Sequence, residues 1–440
     1  MRLLIVALLA PAGCAAPWRP DFDRLESDVG LAAARYPALA LEPDLSGTLD
    51  VETLLAAARA RNPELREALA RTRAAIEEVN RAGALDDPML RYRPWAVPLD
   101  RAYDLGAAEM NMVGIEQTFP FPGNLSLRGE AALRDAEALH QMYREKEREI
   151  VARVRKAYAE YFALSRELEI RAAHMQILDE FEKTSDSKFR TGKAPKQDVL
   201  KPQVELVMLR DEILALEQRI GSARTEINAL LNRPPDAALG KPAYLAPAEE
   251  RFEMKELAAT AVASRPELLA AALRIKSSRA GLALAEREAT WPDFSIGLDY
   301  MQVPGGDDAW GGMIGINLPW ITGKRSATKR KMEHTARADE IALEAARVRV
   351  LAEVHAAFLR VEAARKSLLL FRGEILPVGR ESVDVSRSNY EKDKASFLDL
   401  LDAERSLREI EVRYERTVAE YESARADLER AVGVDLRRKP

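Results

Sequence analysis

The side chains that most often do chemistry are few in this sequence and widely scattered. Its four histidines are His140, His174, His334 and His355, and none is spaced from another His or a Cys as a helical pair of metal ligands would be. The single cysteine, Cys14, has no candidate base as a partner. The sequence also has neither a phosphate-binding loop nor a Gly-x-Ser-x-Gly turn. We therefore expect a protein that is not an enzyme and that holds no metal or other cofactor.

Cys14 ends a short segment that has the order of a secretory signal, with an arginine, an apolar run and then small residues. The small residues before the cysteine resemble a bacterial lipobox, although Pro11 stands where leucine is usual. We expect residues 1–13 to be a signal peptide and Cys14 to be lipidated at the start of an N-terminal segment, 14–47. An ordinary signal without lipidation is the alternative. Ala15 is not the aspartate that retains lipoproteins in the inner membrane, so the outer membrane is the expected destination.

Asp399 and Asp402 form an acidic pair whose carboxylates could act on ions. They are three residues apart in a helical pattern and therefore share one helix face. In an oligomer such a pair would form acidic rings, which favour cations and repel anions. Asp198 and Lys201 stand 201 positions earlier, so the acidity belongs to the second half of the chain only. The alternative is that both are ordinary solvated carboxylates.

Composition points to elongated helices and away from nucleic acid. Charged residues make up 31% of the 440 positions and aromatic residues only 6%, which favours long solvent-facing helices over one large compact core. The net charge of -5 is the wrong sign for neutralising phosphates. We expect no nucleic-acid partner.

The two halves of the chain carry the same pattern. Asn62–Leu65 recurs as Arg265–Leu268 at an offset of 203, and a seam of alternating three- and four-residue steps from Leu206 to Leu230 recurs 201 positions later. Such steps are the heptad signature of a coiled coil, and the offset indicates two copies of one unit. We predict repeat 1 at 48–245 and repeat 2 at 250–433, each opening with short helices.

Each repeat is predicted to contain one long helical hairpin, at 125–232 and at 324–432. Glycine and proline are almost absent from Leu125 to Arg190, so this helix would be roughly 100 Å long at 1.5 Å per residue. A helix of that length has to pack laterally against similar helices. Pro202, early in the first return helix, should kink it.

Each repeat is also predicted to contain one β-hairpin, at 88–120 and at 292–320. Apolar side chains alternate with polar or small ones from Phe294 to Tyr300, which is typical of a strand with one apolar face. Four strands cannot close a barrel, and open edges are not tolerated in lipid. Three chains would supply twelve strands, an even number within the range of outer-membrane barrels. A small soluble β-layer packed on the helices is the alternative.

The turns and junctions of this sequence resemble those of the TolC-like outer-membrane factor family, over about residues 48–433. The resemblance is carried by the paired tip turns, Phe189–Leu200 and Tyr390–Leu401, and by the strand-to-helix junctions, Gly114–Gly123 and Gly315–Gly323. It implies a mainly α fold with membrane β-structure: a homotrimer whose duplicated β-hairpins form a 12-stranded barrel in the outer membrane and whose helical hairpins form a periplasmic α-barrel.

What the resemblance implies for function is a passive exit duct in a tripartite efflux system, exporting small solutes or metal cations. Its partners would be outer-membrane lipid, a periplasmic adaptor protein and an inner-membrane pump, expected to be of the RND type. Asp399 and Asp402 match acidic residues of the family's periplasmic gate. The residues expected to contact the adaptor at the tips are Gly192, Lys193, Ala194, Asp198, Lys394, Ala395 and Ser396.

Two questions stay open from sequence. The segments Asp87–Leu90, Gln117–Gly123 and Leu125–Gly129 are similar to the family's heavy-metal cation branch. The strand segments also contain Met89, Met110, Met112, Met301 and Met313. Thioethers suit monovalent copper, but methionine is also a common apolar filler. A duct of a type I protein secretion system, or a lipid-anchored periplasmic coiled-coil adaptor, are the alternative functions, and the full duplication with two strand pairs favours a duct over an adaptor.

Overall fold

The computed structural model describes residues 16–36, 44–192, 195–246, 250–392 and 394–436. The expected signal peptide, Cys14, Lys193 and Ala194 lie outside these residues. Within them, the helices are α1 (Arg19–Ala34), α2 (Val51–Arg61), α3 (Pro63–Gly83), α4 (Asn124–Arg190), α5 (Gln197–Leu230), α6 (Met254–Ser264), α7 (Pro266–Thr290), α8 (Lys324–Leu370), α9 (Leu376–Glu391) and α10 (Phe397–Val432). The strands are β1 (Met89–Trp95), β2 (Met110–Phe119), β3 (Phe294–Gln302) and β4 (Ala309–Ile316).

The same succession of elements occurs twice along the chain. Two short helices lead into a pair of strands, and the strands lead into a long helical hairpin: α2 to α5 in the first copy and α6 to α10 in the second. The predicted fold class, a duplicated β-hairpin joined to a long helical hairpin, is confirmed. The exact repeat boundaries, 48–245 and 250–433, stay predictions. No helix among the described residues combines the length and the apolarity needed to cross a bilayer.

By its internal contacts the chain divides into two compact units, and each unit takes segments from both copies. The first comprises residues up to 32, 68–142 and 267–346, and the second comprises 33–67, 143–266 and 347–440. The first unit therefore contains the whole sheet. The second contains both hairpin tips.

The first unit is organised around one antiparallel sheet in the order β1-β2-β3-β4. The two copies meet at β2 and β3, where Phe119 lies opposite Phe294 and their rings stack 5.5 Å apart. A helix that the sequence pattern did not predict, α1, packs against the start of α4 in this unit. Its preceding residue, Trp18, donates its indole N–H to the Ser126 carbonyl (2.9 Å). A Cβ on Gly129 would lie 2.4 Å from the Trp18 ring, so the one glycine in α4 makes room for the indole.

The second unit is helical. In it, the junctions between successive short helices pack against the ends of the return helices α5 and α10. The seam predicted on α5 packs against α4, with Leu206 and Leu209 in a buried cluster with Leu178. Both copies close in the same way. Asn62 donates to the Leu230 carbonyl (2.9 Å), and Arg265, its counterpart, donates to the Ala431 carbonyl (2.7 Å). In both copies, a side chain just before the second short helix, α3 or α7, is thus hydrogen-bonded to the end of the return helix, and the two side chains differ.

The long helices of the two copies differ. Helix α4 runs for 67 residues without a break. In the second copy, a π-helical turn at Phe371–Ile375 separates α8 from α9, and Pro377 is the second residue of α9. In α5 the helix continues past a buried Pro202, where the expected kink stays a prediction.

Candidate functional site

The sheet has two faces of different chemistry, because residues directly opposite one another in an antiparallel ladder point to the same side. One side, here named the apolar face, carries Pro94, Asn111, Gln117, Phe119, Phe294, Gln302 and Gly312 besides ten large hydrophobic side chains: Leu90, Tyr92, Val113, Ile115, Ile296, Leu298, Tyr300, Trp310, Ile314 and Ile316. All ten are 44% to 82% exposed. So many exposed large hydrophobic side chains on one surface mark a contact with lipid or protein.

The other side, here named the methionine face, carries charged residues, glycines and methionines. Its members are Met89, Arg91, Arg93, Trp95, Met110, Met112, Gly114, Glu116, Thr118, Ser295, Gly297, Asp299, Met301, Ala309, Gly311, Met313 and Gly315. Arg91 and Glu116 form a cross-strand ion pair at 2.7 Å. The glycines let long side chains lie flat on the sheet: an added Cβ would meet the Asp299 carboxylate at Gly114 and the Met301 methyl group at Gly311.

The start of α10 is built around the first of the two predicted gate residues. Ser396 precedes the helix, its hydroxyl accepts from the Asp399 N–H, and the Asp399 carboxylate accepts from the Ser396 N–H at 2.9 Å. This reciprocal pair is a capping box, which satisfies two backbone donors at the helix start. Asp399 therefore has a structural role that the gate prediction did not include. The Ser-x-x-Asp spacing was the signal that could have revealed it.

Asp402 lies one turn further on, exposed and without a comparable helix-capping contact. Together with Asp399 it lines a groove of about 560 Å³ between α10 and the start of α5. Lys201 and Arg405 line the same groove, and Arg405 lies 3.8 Å from Glu205. The groove thus holds three carboxylates and two cations, and Arg405 is paired with Glu205 rather than with the predicted acid pair.

The two hairpin tips contact each other through aromatic side chains that sequence reasoning missed. Phe397, 3% exposed, packs edge-to-face on Phe181 of α4 and on Tyr390 of α9, with ring centroids 5.7 Å and 5.6 Å apart. Lys188 lies over the Tyr390 ring at 4.1 Å. Burial of aromatic rings from both hairpins joins one tip to the other.

The predicted adaptor-contacting residues that the structure describes lie at these tips. Gly192 closes the first turn with a left-handed φ of 73°, and Asp198 lies in the first turn of α5. Lys394 and Ser396 are exposed in the second turn, where the Lys394 N–H donates to the Asn389 carbonyl. Ala395 between them is half-buried. Their contact with an adaptor stays a prediction.

A row of buried charged residues follows one side of α10, and the sequence analysis did not identify it. Glu404 pairs with Arg387 at 2.8 Å, Glu415 pairs with Arg166 at 3.1 Å, and Glu429 pairs with Arg155. Burial raises the pKa of the Glu415 carboxyl above its usual range. The spacing of these residues fits a heptad seam, but a heptad pattern is recognised in sequence by its apolar positions, and these residues are charged.

His174 is buried in α4 near this charged row. Burial, reinforced by the positive charge of Arg408, lowers the pKa of the His174 imidazole to about 4, so the ring is neutral at physiological pH. Among the described residues, no group of three or more His, Cys, Asp or Glu side chains is arranged to hold a metal ion.

Comparison with known proteins identifies the family. The profile of the outer membrane efflux protein family matches residues 54–233 and 257–434. These two matched segments make up most of the chain, and each contains one strand pair with its helical hairpin. The chain belongs to the outer membrane efflux protein family, and the predicted family and outer-membrane location are confirmed.

Solved structures of outer-membrane channels share the fold at low sequence identity. The outer-membrane channel OprN is 18% identical with a TM-score of 0.72, covering 91% of this chain and 99% of its own. CusC, described with transmembrane channel formation, is 16% identical with a TM-score of 0.75 over 91% and 97% of the two chains. The MtrE outer membrane channel of Neisseria gonorrhoeae is 18% identical with a TM-score of 0.72 over 91% and 94%. Among curated protein sequences, none matches at a significant level.

Proposed function

We propose that this chain is the outer-membrane subunit of a tripartite efflux system and acts as a passive exit duct for small solutes or metal cations. The duct performs no chemistry of its own. It works with a periplasmic adaptor and an inner-membrane pump of the RND type, which supplies the energy. The observation that carries this proposal is the sheet, whose one face is apolar and exposed while its other face is charged.

Trimer formation follows from the edges of that sheet. In the described residues β1 and β4 each have a strand partner on one side only, and unpaired backbone groups are not tolerated in lipid. Three copies joined edge to edge give a closed twelve-stranded barrel. Its outer surface is the apolar face and its lumen is the methionine face.

Neighbouring residues on β3 provide a matched test of this arrangement. Ile296→Lys places a charge on the apolar face, which costs about 2 to 4 kcal/mol near the membrane midplane. Ser295→Lys places the same charge on the opposite face, where a water-filled lumen accepts it. We expect Ile296→Lys to abolish heat-sensitive trimers in outer-membrane fractions and Ser295→Lys to retain them. Equal tolerance of both variants would contradict a membrane barrel.

Transport is tested separately, with the purified full-length protein in planar bilayers and in a strain whose own duct gene is deleted. The wild-type chain should form ion-conducting pores and restore resistance to exported solutes when its cognate adaptor and pump are present. Secretion of a protein substrate without any effect on small solutes would instead indicate a type I secretion duct.

We further propose that Asp402 and Asp399 form the periplasmic gate and that the exposed tips contact the adaptor. Support comes from their place in one groove at the start of α10 and from the exposure of Lys394 and Ser396. Cysteines introduced at Lys394 should cross-link to the adaptor in intact cells, whereas a cysteine at exposed Asp211, mid-way along α5, should not. Equal cross-linking at both positions would argue against a tip contact.

A further inference from the structure

The methionines of the sheet are sorted onto one face. All five that lie in strands, Met89, Met110, Met112, Met301 and Met313, belong to the methionine face. All seven strand residues that are Val, Leu or Ile belong to the apolar face: Leu90, Val113, Ile115, Ile296, Leu298, Ile314 and Ile316.

This sorting argues against methionine as a mere apolar filler. A filler is interchangeable with Leu and Ile, since these side chains have similar volumes, and it would lie among them. Here the thioethers instead lie beside Arg91, Glu116 and Asp299. What distinguishes methionine from leucine on such a surface is its sulfur, an uncharged ligand for soft metal ions that does not have to lose a proton.

Two of the methionines are placed to act on one ion. Met112 on β2 and Met301 on β3 are directly opposite in the register, which puts their Cβ atoms about 5 Å apart. Both side chains are half-buried. The Met301 methyl group lies over Gly311 on β4, so the Met301 side chain has to rotate back toward β2 to share an ion with Met112. Flexible thioethers at that separation can turn toward the same ion.

A carboxylate lies beside the pair, among side chains of both charges. Asp299, two residues from Met301, lays its carboxylate over Gly114, two residues from Met112. On the other side, Arg91 is paired with Glu116, and Arg93 lies opposite Met112. The Asp299 carboxylate therefore lies over β2, beside Met112, and the Arg91 guanidinium reaches across the sheet to 3.6 Å from the Cβ position of Gly297 on β3.

We propose that Met112 and Met301, supported by Asp299, form a binding site for soft monovalent cations, Cu(I) and Ag(I), on the methionine face. The site rests on the proposed function in that this face lines the lumen of the duct, and it assigns metal cations to the duct as cargo. Thioethers are uncharged ligands, so two of them hold such an ion reversibly, and reversible binding is what a channel wall needs if its cargo is to move on. Hard cations, which prefer oxygen ligands, gain nothing from the sulfurs.

The test is silver binding by the full-length protein in detergent, measured by equilibrium dialysis with elemental analysis. Ag(I) is used because it needs no reductant to keep its oxidation state. We compare the wild type with the double variant Met112→Leu/Met301→Leu, in which the volume of each side chain is nearly kept. The matched control is Met208→Leu, a methionine 51% exposed on α5.

We expect the double variant to lose one bound Ag(I) per chain, or to bind it at least tenfold more weakly, and the control to bind as the wild type does. Arg93→Gln should tighten binding, because it removes the positive charge opposite Met112. Unchanged silver affinity in the double variant, or an equal loss in the control, would overturn the site. As a second readout, Ag(I) should protect Met112 and Met301 of the wild type from peroxide oxidation, detected by mass spectrometry, and equal oxidation with and without silver would also overturn it.

Conductance separates this inference from the proposed function. A double variant that forms normal pores but has lost silver binding supports both. Normal pores with silver binding that does not depend on Met112 and Met301 refute the site and leave the duct. A wild-type protein that binds silver through this pair but forms no pore refutes the duct.

Discussion

Replacing each aspartate of the proposed gate by asparagine separates the capping role of the acid pair from its proposed electrostatic role. Both changes remove one negative charge per chain from the groove at the start of α10. Only Asp399→Asn also disturbs the capping box, because the Asp399 carboxylate accepts from the Ser396 N–H and hydroxyl at 2.9 Å and 2.8 Å. Ser396→Ala is the complementary control, since it removes the hydroxyl of the cap and keeps both charges.

The size of each effect follows from elementary electrostatics and capping energies. In a trimer, one position contributes three carboxylates, each worth about 0.5 kcal/mol to a cation at one Debye length, about 8 Å, in water. Screening leaves a total of about 0.6 kcal/mol, or about threefold in local cation concentration. Loss of an N-terminal cap costs about 1 kcal/mol per chain.

Planar-bilayer reversal potentials in a salt gradient measure the first effect, and thermal unfolding followed by circular dichroism measures the second. Asp402→Asn should lower cation selectivity at about 0.15 M salt and leave Tm unchanged. Asp399→Asn should lower both, and Ser396→Ala should lower Tm alone. At 1 M salt the selectivity differences should vanish, because the Debye length falls to about 3 Å. Unaltered selectivity of Asp402→Asn at low salt, or altered selectivity of Ser396→Ala, would refute the reasoning.

Three further predictions concern stability, each measured by thermal unfolding of the full-length protein. Gly129→Ala should destabilise by about 1 to 3 kcal/mol, as overpacking does, because the new Cβ would lie 2.4 Å from the Trp18 ring. In a Trp18→Ala background, Gly129→Ala should instead increase the free energy of unfolding, as alanine in place of glycine usually does inside a helix. Arg155→Met should cost about 1 to 3 kcal/mol, because it removes one ion pair of the buried Glu429 while Arg425 stays 3.6 Å away, and the double variant Arg155→Met/Glu429→Leu should recover part of the loss. His174, with its pKa lowered to about 4, is neutral in the folded state while the unfolded imidazole takes up a proton below about pH 6.5. The wild type should therefore lose up to about 3 kcal/mol between pH 6.5 and 4 relative to His174→Phe, and parallel pH profiles would contradict that.

The regular elements could be predicted from sequence because their signals are local. A helix predicted from Leu125 begins at Asn124, and the hairpin predicted from residue 324 begins at Lys324. The alternation from Phe294 to Tyr300 marked β3 and its two faces. Periodicity and capping depend on residues a few positions apart, and these are visible in the chain itself.

The missed features depend on residues far apart in sequence. Trp18 holds helix α1 against Ser126 and Gly129, more than 100 positions away. The residues near Trp18 in the sequence therefore do not predict this contact. Arg265 takes over the role of Asn62 through a different donor to a different carbonyl. In both cases tertiary packing determines what the side chain does, and local propensity does not report it.

The same distinction between local signals and long-range contacts applies to the candidate sites. The acid pair was found from its spacing, but its neighbours Lys201 and Arg405 come from two helices that only the fold brings together. The strand methionines were noted in sequence as either ligands or fillers. The register favours the ligand interpretation, because only the pairing of strands shows which face each methionine occupies.

One proline accounts for the main difference between the two copies. In an α-helix, the ring of Pro377 would clash with the carbonyl of the residue four positions earlier, Gly373, and the π-helical turn at Phe371–Ile375 widens the helix there. Beyond it, Gly379 lets α9 approach α10 closely, since an added Cβ would lie 3.0 Å from the Ile410 side chain. Helix α4 contains no proline and has no such break. The hairpin whose long helix is interrupted is thus the one that carries the acid pair.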